Sequence, residues 1–298
     1  MNRREFLQAT GAAAATTLAT GCAGLSRAPR ALVGTQLYGW GQYYDRAGRK
    51  LDEHMDEALG LIRDGGFDYA EGWLDVAHPE NHAKFAERLH KAGLKPVSLY
   101  TGGAFHVAGK ATETAAKIAA AARNARECGF TGLVCNPDPI GREKTDEELK
   151  VQAAALAELG AELRRAGVKL GLHHHTPEMR SQGREFHANF RSTSPETVGF
   201  CYDVHWVYRG GIAPSAALRD YGSRIVSWHL RQSRNQIWWE DLAPGDIDYT
   251  QVAAYAKAKG LATNLTVELA LENGTQVTRS VEENHRRSRQ FVREVFGV

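Results

Sequence analysis

Residues 168–175 read Val168-Lys169-Leu170-Gly171-Leu172-His173-His174-His175, and the way they alternate decides the fold. Val168, Leu170 and Leu172 share one parity, the mark of a strand face packed on other elements; Gly171, His173 and His175 share the other. A helical pattern over 145–166 precedes this strand and stops at Gly167, a residue suited to the left-handed turn that ends a helix. Thr145 or Asp146, with Glu148 three residues after Thr145, supplies its start.

Outward from this unit the same alternation repeats along the chain. Apolar runs at 32–38, 68–73, 95–100, 132–136, 168–175, 198–204, 225–231 and 264–270 read as strands. Helical patterns near 51–64, 79–92, 110–128, 145–166, 185–192, 214–221, 249–259 and 276–296 separate them, the fifth and sixth being short. Strands alternating with helices build a parallel sheet, and eight such units fit one closed (β/α)8 barrel over 31–298. A doubly wound open sheet is the alternative, but no Gly-x-Gly-x-x-Gly follows the first strand. The fold class is therefore α/β, a single-domain barrel behind an N-terminal segment.

That segment, 1–30, reads as an address. Arg3-Arg4 precedes Phe6-Leu7 and an Ala/Thr-rich stretch, a pattern that resembles a twin-arginine export signal. Gly21-Cys22 resembles a lipoprotein cleavage site, and 23–30 reads as a tether. The expected location is the periplasm, with membrane contact only through a lipid on Cys22. Cys128, Cys135 and Cys201 are odd in number and unpatterned, so they are expected as buried small hydrophobes rather than disulfides.

Composition excludes several classes. Of 298 residues, 43% are hydrophobic, which is enough for a core and rules out disorder. A balance of 37 Lys+Arg against 35 Asp+Glu, with no basic block, argues against nucleic acid as a partner. No apolar run reaches the length of a spanning helix. An oligomer is compatible with this composition.

Parity then picks out a site, since functional groups of such barrels gather at strand C-termini. Strand six points Asp203 and His205 inward, strand seven His229 and Arg231, strand eight Thr266 and Glu268. A lone strand histidine is usually structural; His, Asp, His and Glu at matching depth suit a divalent ion. Mixed nitrogen and oxygen ligands favour Mn²⁺, Co²⁺, Zn²⁺ or Fe²⁺ over Ca²⁺ and Mg²⁺. His174 points the other way and is expected behind the site or in solvent. His54, His78, His82, His90, His187 and His285 lie in helical patterns and are expected on solvated faces. Trp40, Trp206 and Trp238, in Gly-rich or polar stretches, are the rings expected to meet a substrate. Asn136 closes strand four as an inward polar candidate, and Arg231 is placed either on a substrate oxygen or against Asp203 or Glu178.

At His173-His174-His175-Thr-Pro-Glu178, Tyr202-Asp203-Val-His205-Trp206, His229-Leu-Arg231, Gly245-Asp-Ile-Asp248-Tyr249 and Val267-Glu268, the chain resembles the xylose-isomerase-like sugar isomerase/epimerase superfamily. The superfamily also contains endonuclease IV and inosose dehydratase. The resemblance covers about 32–298. It implies one divalent ion held by Asp203, His229 and Glu268, with His175 as the fourth ligand and His173 next. It also implies proton abstraction beside a carbonyl, with Glu178, His173 and Glu268 catalytic and the ion as Lewis acid. Trp40, Asn136, His205, Trp206, Arg231 and Trp238 are the expected substrate-binding residues. Strand five departs from the ketose 3-epimerase branch by lacking its first Glu, and Trp206 replaces a substrate-binding His. The implied activity is therefore a metal-dependent sugar or keto-sugar isomerase/epimerase. A lyase acting by β-elimination on 3-keto-glycosides or inosose-like substrates is the alternative, and a non-catalytic periplasmic sugar-binding lipoprotein the second.

Overall fold

The computed structural model describes residues 31–298; the stretch expected as an export signal, with Arg3-Arg4 and Cys22, lies outside the described residues. Eight parallel strands close into a barrel: β1 (Leu32–Gln36), β2 (Tyr69–Trp73), β3 (Ser98–Gly103), β4 (Gly132–Pro137), β5 (Lys169–Leu172), β6 (Gly199–Asp203), β7 (Ile225–Leu230) and β10 (Asn264–Val267). Each pairs with its neighbour in chain order, and β10 returns to β1. β8 (Ser233–Arg234) and β9 (Ile237–Trp238) form a separate antiparallel hairpin after β7.

The helices follow the expected order: α2 (Met55–Asp64), α3 (Asn81–Lys91), α4 (Ala111–Glu127), α5 (Asp146–Arg165), α6 (Thr176–Arg191), α8 (Pro214–Tyr221), α9 (Tyr249–Ala258) and α10 (Val281–Phe296). Two more, α1 (Leu37–Arg46) and α7 (Val204–Arg209), replace stretches expected as loops or strand ends. Their starts explain them: Gln36 Oε1 accepts the Tyr38 amide at 2.7 Å and Asp203 Oδ1 accepts that of Trp206 at 2.8 Å. The Thr145–Glu148 capping box opens α5 as expected. The strand expected at 95–100 begins at Ser98, because Pro96 has no amide to give the ladder. α6 is broken at Arg180–Gly183, where Ser181, Gln182 and Gly183 turn left-handed. The helix expected at 185–192 is the piece beyond that break.

The parity holds. Leu170, Leu172, Phe200, Tyr202, Leu265 and Val267 are buried against the helices. Inside the barrel, Gly34 makes room for the Tyr69 ring, since a Cβ there would meet it at 2.2 Å. The Tyr69 hydroxyl and Thr266 Oγ1 are 2.7 Å apart beneath the site. Cys135 and Cys201 are buried as expected, whereas Cys128 is half-buried.

Several histidines depart from expectation. His285 is buried, not on a solvated face: its ring lies 4.5 Å from that of Trp40, and Nδ1 donates to the Val281 carbonyl at 2.7 Å. Burial holds it neutral, with a pKa lowered to about 4. His82 is buried too, between the Asp75 amide and Asn124. His174 does face away from the axis, but among the rings of Phe186, Phe190 and Phe200 rather than in solvent.

Candidate metal and substrate site

At the C-terminal rim of the barrel the last inward residues of β5–β7 and β10 meet. His173, Asp203, His229 and Glu268 are all buried and offer ligand atoms within 4.8 Å of one another. That spread is a little wider than the ~4.2 Å across an ion with ligands at ~2.1 Å. The residues fit a divalent ion on a second ground. Both ring nitrogens of His173 and Oδ2 of Asp203 are buried without a hydrogen-bond partner, a costly state for polar atoms that a cation relieves. Asp203 spends Oδ1 capping α7, which leaves Oδ2 as its ligand atom.

The strand-five residue that joins this candidate quartet is His173, where His175 was expected. β5 ends at Leu172, so His173 still points along the barrel radius, while His175 has risen one step to become the residue capping α6. The two rings stand 4.7 Å apart.

His229 is clamped on both sides. Its Nδ1 lies 2.8 Å from Glu268 Oε2, and its Nε2 lies 2.9 Å from Glu71 Oε1. Glu71 in turn accepts the Ser98 hydroxyl at 2.5 Å. Burial works against a charged His229, but Cys201 and Glu71, with Glu268, outweigh it and raise its pKa well above the ordinary value. Were His229 to help hold an ion, its contact with Glu71 would fix the ring orientation and tautomer. The contact of Glu71 with His229 across the barrel was not legible in the sequence.

Arg231 lies among the acids. Its Nη2 pairs with Glu268 Oε1 and stands 3.7 Å from Asp203 Oδ2. Its guanidinium stacks 4.0 Å from the centre of the Trp238 ring. Burial opposes the Glu268 charge, yet Arg231 and His229 hold its carboxyl well below the usual range. Burial raises Asp203 against the pull of Arg231.

Above these groups opens a cavity of about 370 Å³, lined by Gln36, Tyr38, Trp73, Tyr100, His173, His175, Trp206, Arg231, Trp238, Glu268 and Ala270. Of the rings expected to meet a substrate, Trp206 and Trp238 line it. The β8–β9 hairpin, turned by the left-handed Asn235 and Gln236, carries Trp238 there. Trp40 does not line it: α1 turns that indole into the core, where its N–H reaches Thr35 Oγ1 at 3.3 Å. Tyr38, Trp73 and Tyr100 take its place. His205 is also outside, fully buried behind Trp206 and Trp238. Asn136 does not line the cavity but stands buried behind Tyr100, whose hydroxyl it accepts while donating to Glu178.

Glu178, expected as an acid/base, does not line the cavity either. It is fully buried, one oxygen accepting the His175 amide at 2.8 Å and the other Asn136 Nδ2 at 3.1 Å. Its position three residues into the first turn of α6 makes it a helix cap. Burial pushes its carboxyl up to about 7. Between its ordinary value and 7 the folded chain holds a proton that the unfolded chain has released. The stability from this group is therefore full below pH ~4.5 and lost as pH rises through 7, by about 3 kcal/mol. Glu178→Gln is expected to remove that slope in urea titrations at pH 5 and pH 8.5. An unchanged difference between the two pH values would place the titrating group elsewhere.

The family model described as the xylose isomerase-like TIM barrel matches residues 59–295. Among solved structures, the chain is 19% identical to an L-ribulose 3-epimerase, covering 90% of this chain and 95% of that one at a TM-score of 0.72. It is 18% identical to a sugar phosphate isomerase/epimerase from Parabacteroides distasonis, with 90% and 95% covered and a TM-score of 0.69. It is 16% identical to a D-allulose 3-epimerase from Methylomonas sp. in complex with D-allulose, with 90% and 98% covered and a TM-score of 0.68. A search of curated proteins finds no match.

Proposed function

The chain belongs to the xylose isomerase-like TIM barrel family, and from that premise we propose a metal-dependent isomerase/epimerase that moves a proton beside the carbonyl of a sugar or keto-sugar. The observation that carries this reading is the quartet His173, Asp203, His229 and Glu268, in which His173 and Asp203 keep buried atoms without a hydrogen bond, at the floor of an aromatic-lined cavity. These four residues would hold one Mn²⁺, Co²⁺, Zn²⁺ or Fe²⁺ ion. The ion would supply Lewis-acid polarisation of a carbonyl and its neighbouring hydroxyl.

The protein's own groups do the rest. Tyr38, Trp73, Trp206 and Trp238 offer apolar ring faces to the apolar face of a sugar. Arg231 keeps Glu268 ionised and fixes its orientation. His175 lines the cavity outside the ligand quartet, and burial lowers it to about 3, so its imidazole is neutral and has a lone pair to accept a proton. So weak a base moves a carbon-bound proton only when the carbonyl is strongly polarised, which is why the ligand quartet and His175 are read as one unit.

A second reading, β-elimination, is favoured by one observation. Among the described residues lining the cavity, His175 is the imidazole outside the quartet and Glu268 the one carboxylate, whose Oε1 Arg231 occupies, so no facing pair of bases is present. In D₂O with a screen of keto-sugars and Co²⁺, deuterium is expected to enter the recovered sugar beside its carbonyl, or a leaving group to depart. His175→Gln should suppress the exchange by ~10²-fold or more with metal content unchanged. Turnover with full retention of the original hydrogen would overturn proton transfer to solvent-exchanging groups, and saturable sugar binding without turnover would favour the non-catalytic reading.

A further inference from the structure

Beside the catalytic cavity lies a second hollow of about 280 Å³, and Trp73 lines both. Its walls are apolar: Leu37, Met55, Gly72 and Phe85 complete it around the indole. The polar side chains there are already engaged with each other. Asp75 accepts the His78 amide at 2.7 Å and Asn81 Nδ2 at 2.8 Å. His82 Nε2 accepts the Asp75 amide at 3.0 Å, and its other nitrogen faces Asn124. A sugar ring in this hollow would find few partners for its hydroxyls, a poor exchange for water. An apolar group would lose nothing.

The exposed surface points the same way. Tyr38 and Trp73 are 48% and 47% exposed and both line the cavity, while Ile237, 43% exposed, precedes Trp238 on the hairpin. Large apolar side chains left open at the mouth of one site mark it for a ligand with apolar surface. Free sugars have little of that beyond one ring face.

Resting on the reading of the larger cavity as a sugar site, we propose that the hollow beyond Trp73 is a subsite for an apolar or aromatic substituent, so that the substrate is a glycoside rather than a free sugar. The sugar would sit over the His173–Glu268 floor, and the substituent would cross the Trp73 edge onto Met55 and Phe85.

The test compares phenyl and methyl β-D-glucopyranosides, titrated against the full protein by tryptophan fluorescence, once with EDTA and once with Co²⁺. The phenyl glycoside is expected to bind on the order of ten- to a hundredfold more tightly, as burial of one ring predicts. Met55→Gln, at a core residue that lines the hollow and not the larger cavity, should shrink that ratio and leave the methyl glycoside unchanged. Trp73→Ala, at an exposed position that tolerates truncation, should weaken both. Equal affinities, or binding by neither, would overturn the subsite. An aryl preference without deuterium exchange would leave it standing and sink the catalytic reading; exchange without aryl preference would do the reverse.

Discussion

His229→Ala is expected to take divalent-ion content from about one equivalent to near zero, measured by elemental analysis of protein purified with Co²⁺. Three ligands remain in that variant, but they are not the three that the intact site arranges. His229 holds Glu268 through one nitrogen and Glu71 through the other, so its loss also leaves two buried carboxylates without their shared donor. Metal binding of this kind depends on the full ligand count and on deprotonated, oriented ligands. Glu71→Gln separates the two effects. It keeps an acceptor for the His229 N–H but not the charge, so ion affinity should fall ~10- to 100-fold rather than vanish. Retention of one equivalent by His229→Ala would remove the metal site.

Much of this site was legible because a strand has a fixed period. Once Leu170 and Leu172 were assigned outward, His173 had to point in, and the same count delivered Asp203, His229 and Glu268 to one rim. Parity gives direction, however, not height. His173 and His175 share a direction, and only the end of β5 at Leu172 shows which one is level with Asp203, His229 and Glu268. Trp40 and Glu178 failed for a related reason. Each sits just past a strand, where the chain turns into α1 or α6, and the first helical turn decides whether a side chain looks into the cavity or the core. His82 and His285 were read as surface because helical periodicity does not show which face of an amphipathic helix a histidine joins. The β8–β9 hairpin carries no glycine at its turn, so Trp238 gave no strand signal although the hairpin brings it to the cavity.

Arg231→Met is expected to destabilise the metal-free protein by ~3–5 kcal/mol, the usual cost of stranding a buried charge. Glu268 and Asp203 are buried within reach of one guanidinium, and without it two carboxylates face each other with His229 as their nearest cation. The pH dependence follows from sign. The folded pKa of Glu268 lies below its unfolded value, so its support is present above pH ~4.5 and lost as pH falls through the folded value. Wild type and variant should therefore differ most at neutral pH and converge in acid. A divalent ion supplies charge to the same carboxylates, so Co²⁺ should raise the stability of the variant more than that of the wild type, measured by urea unfolding with EDTA and with Co²⁺. If the loss is identical with and without the ion, and at pH 4 and pH 7, the role of Arg231 is its stacking between Trp206 and Trp238 rather than its charge. The two roles make opposite demands on the methionine, which preserves most of the packing and none of the charge.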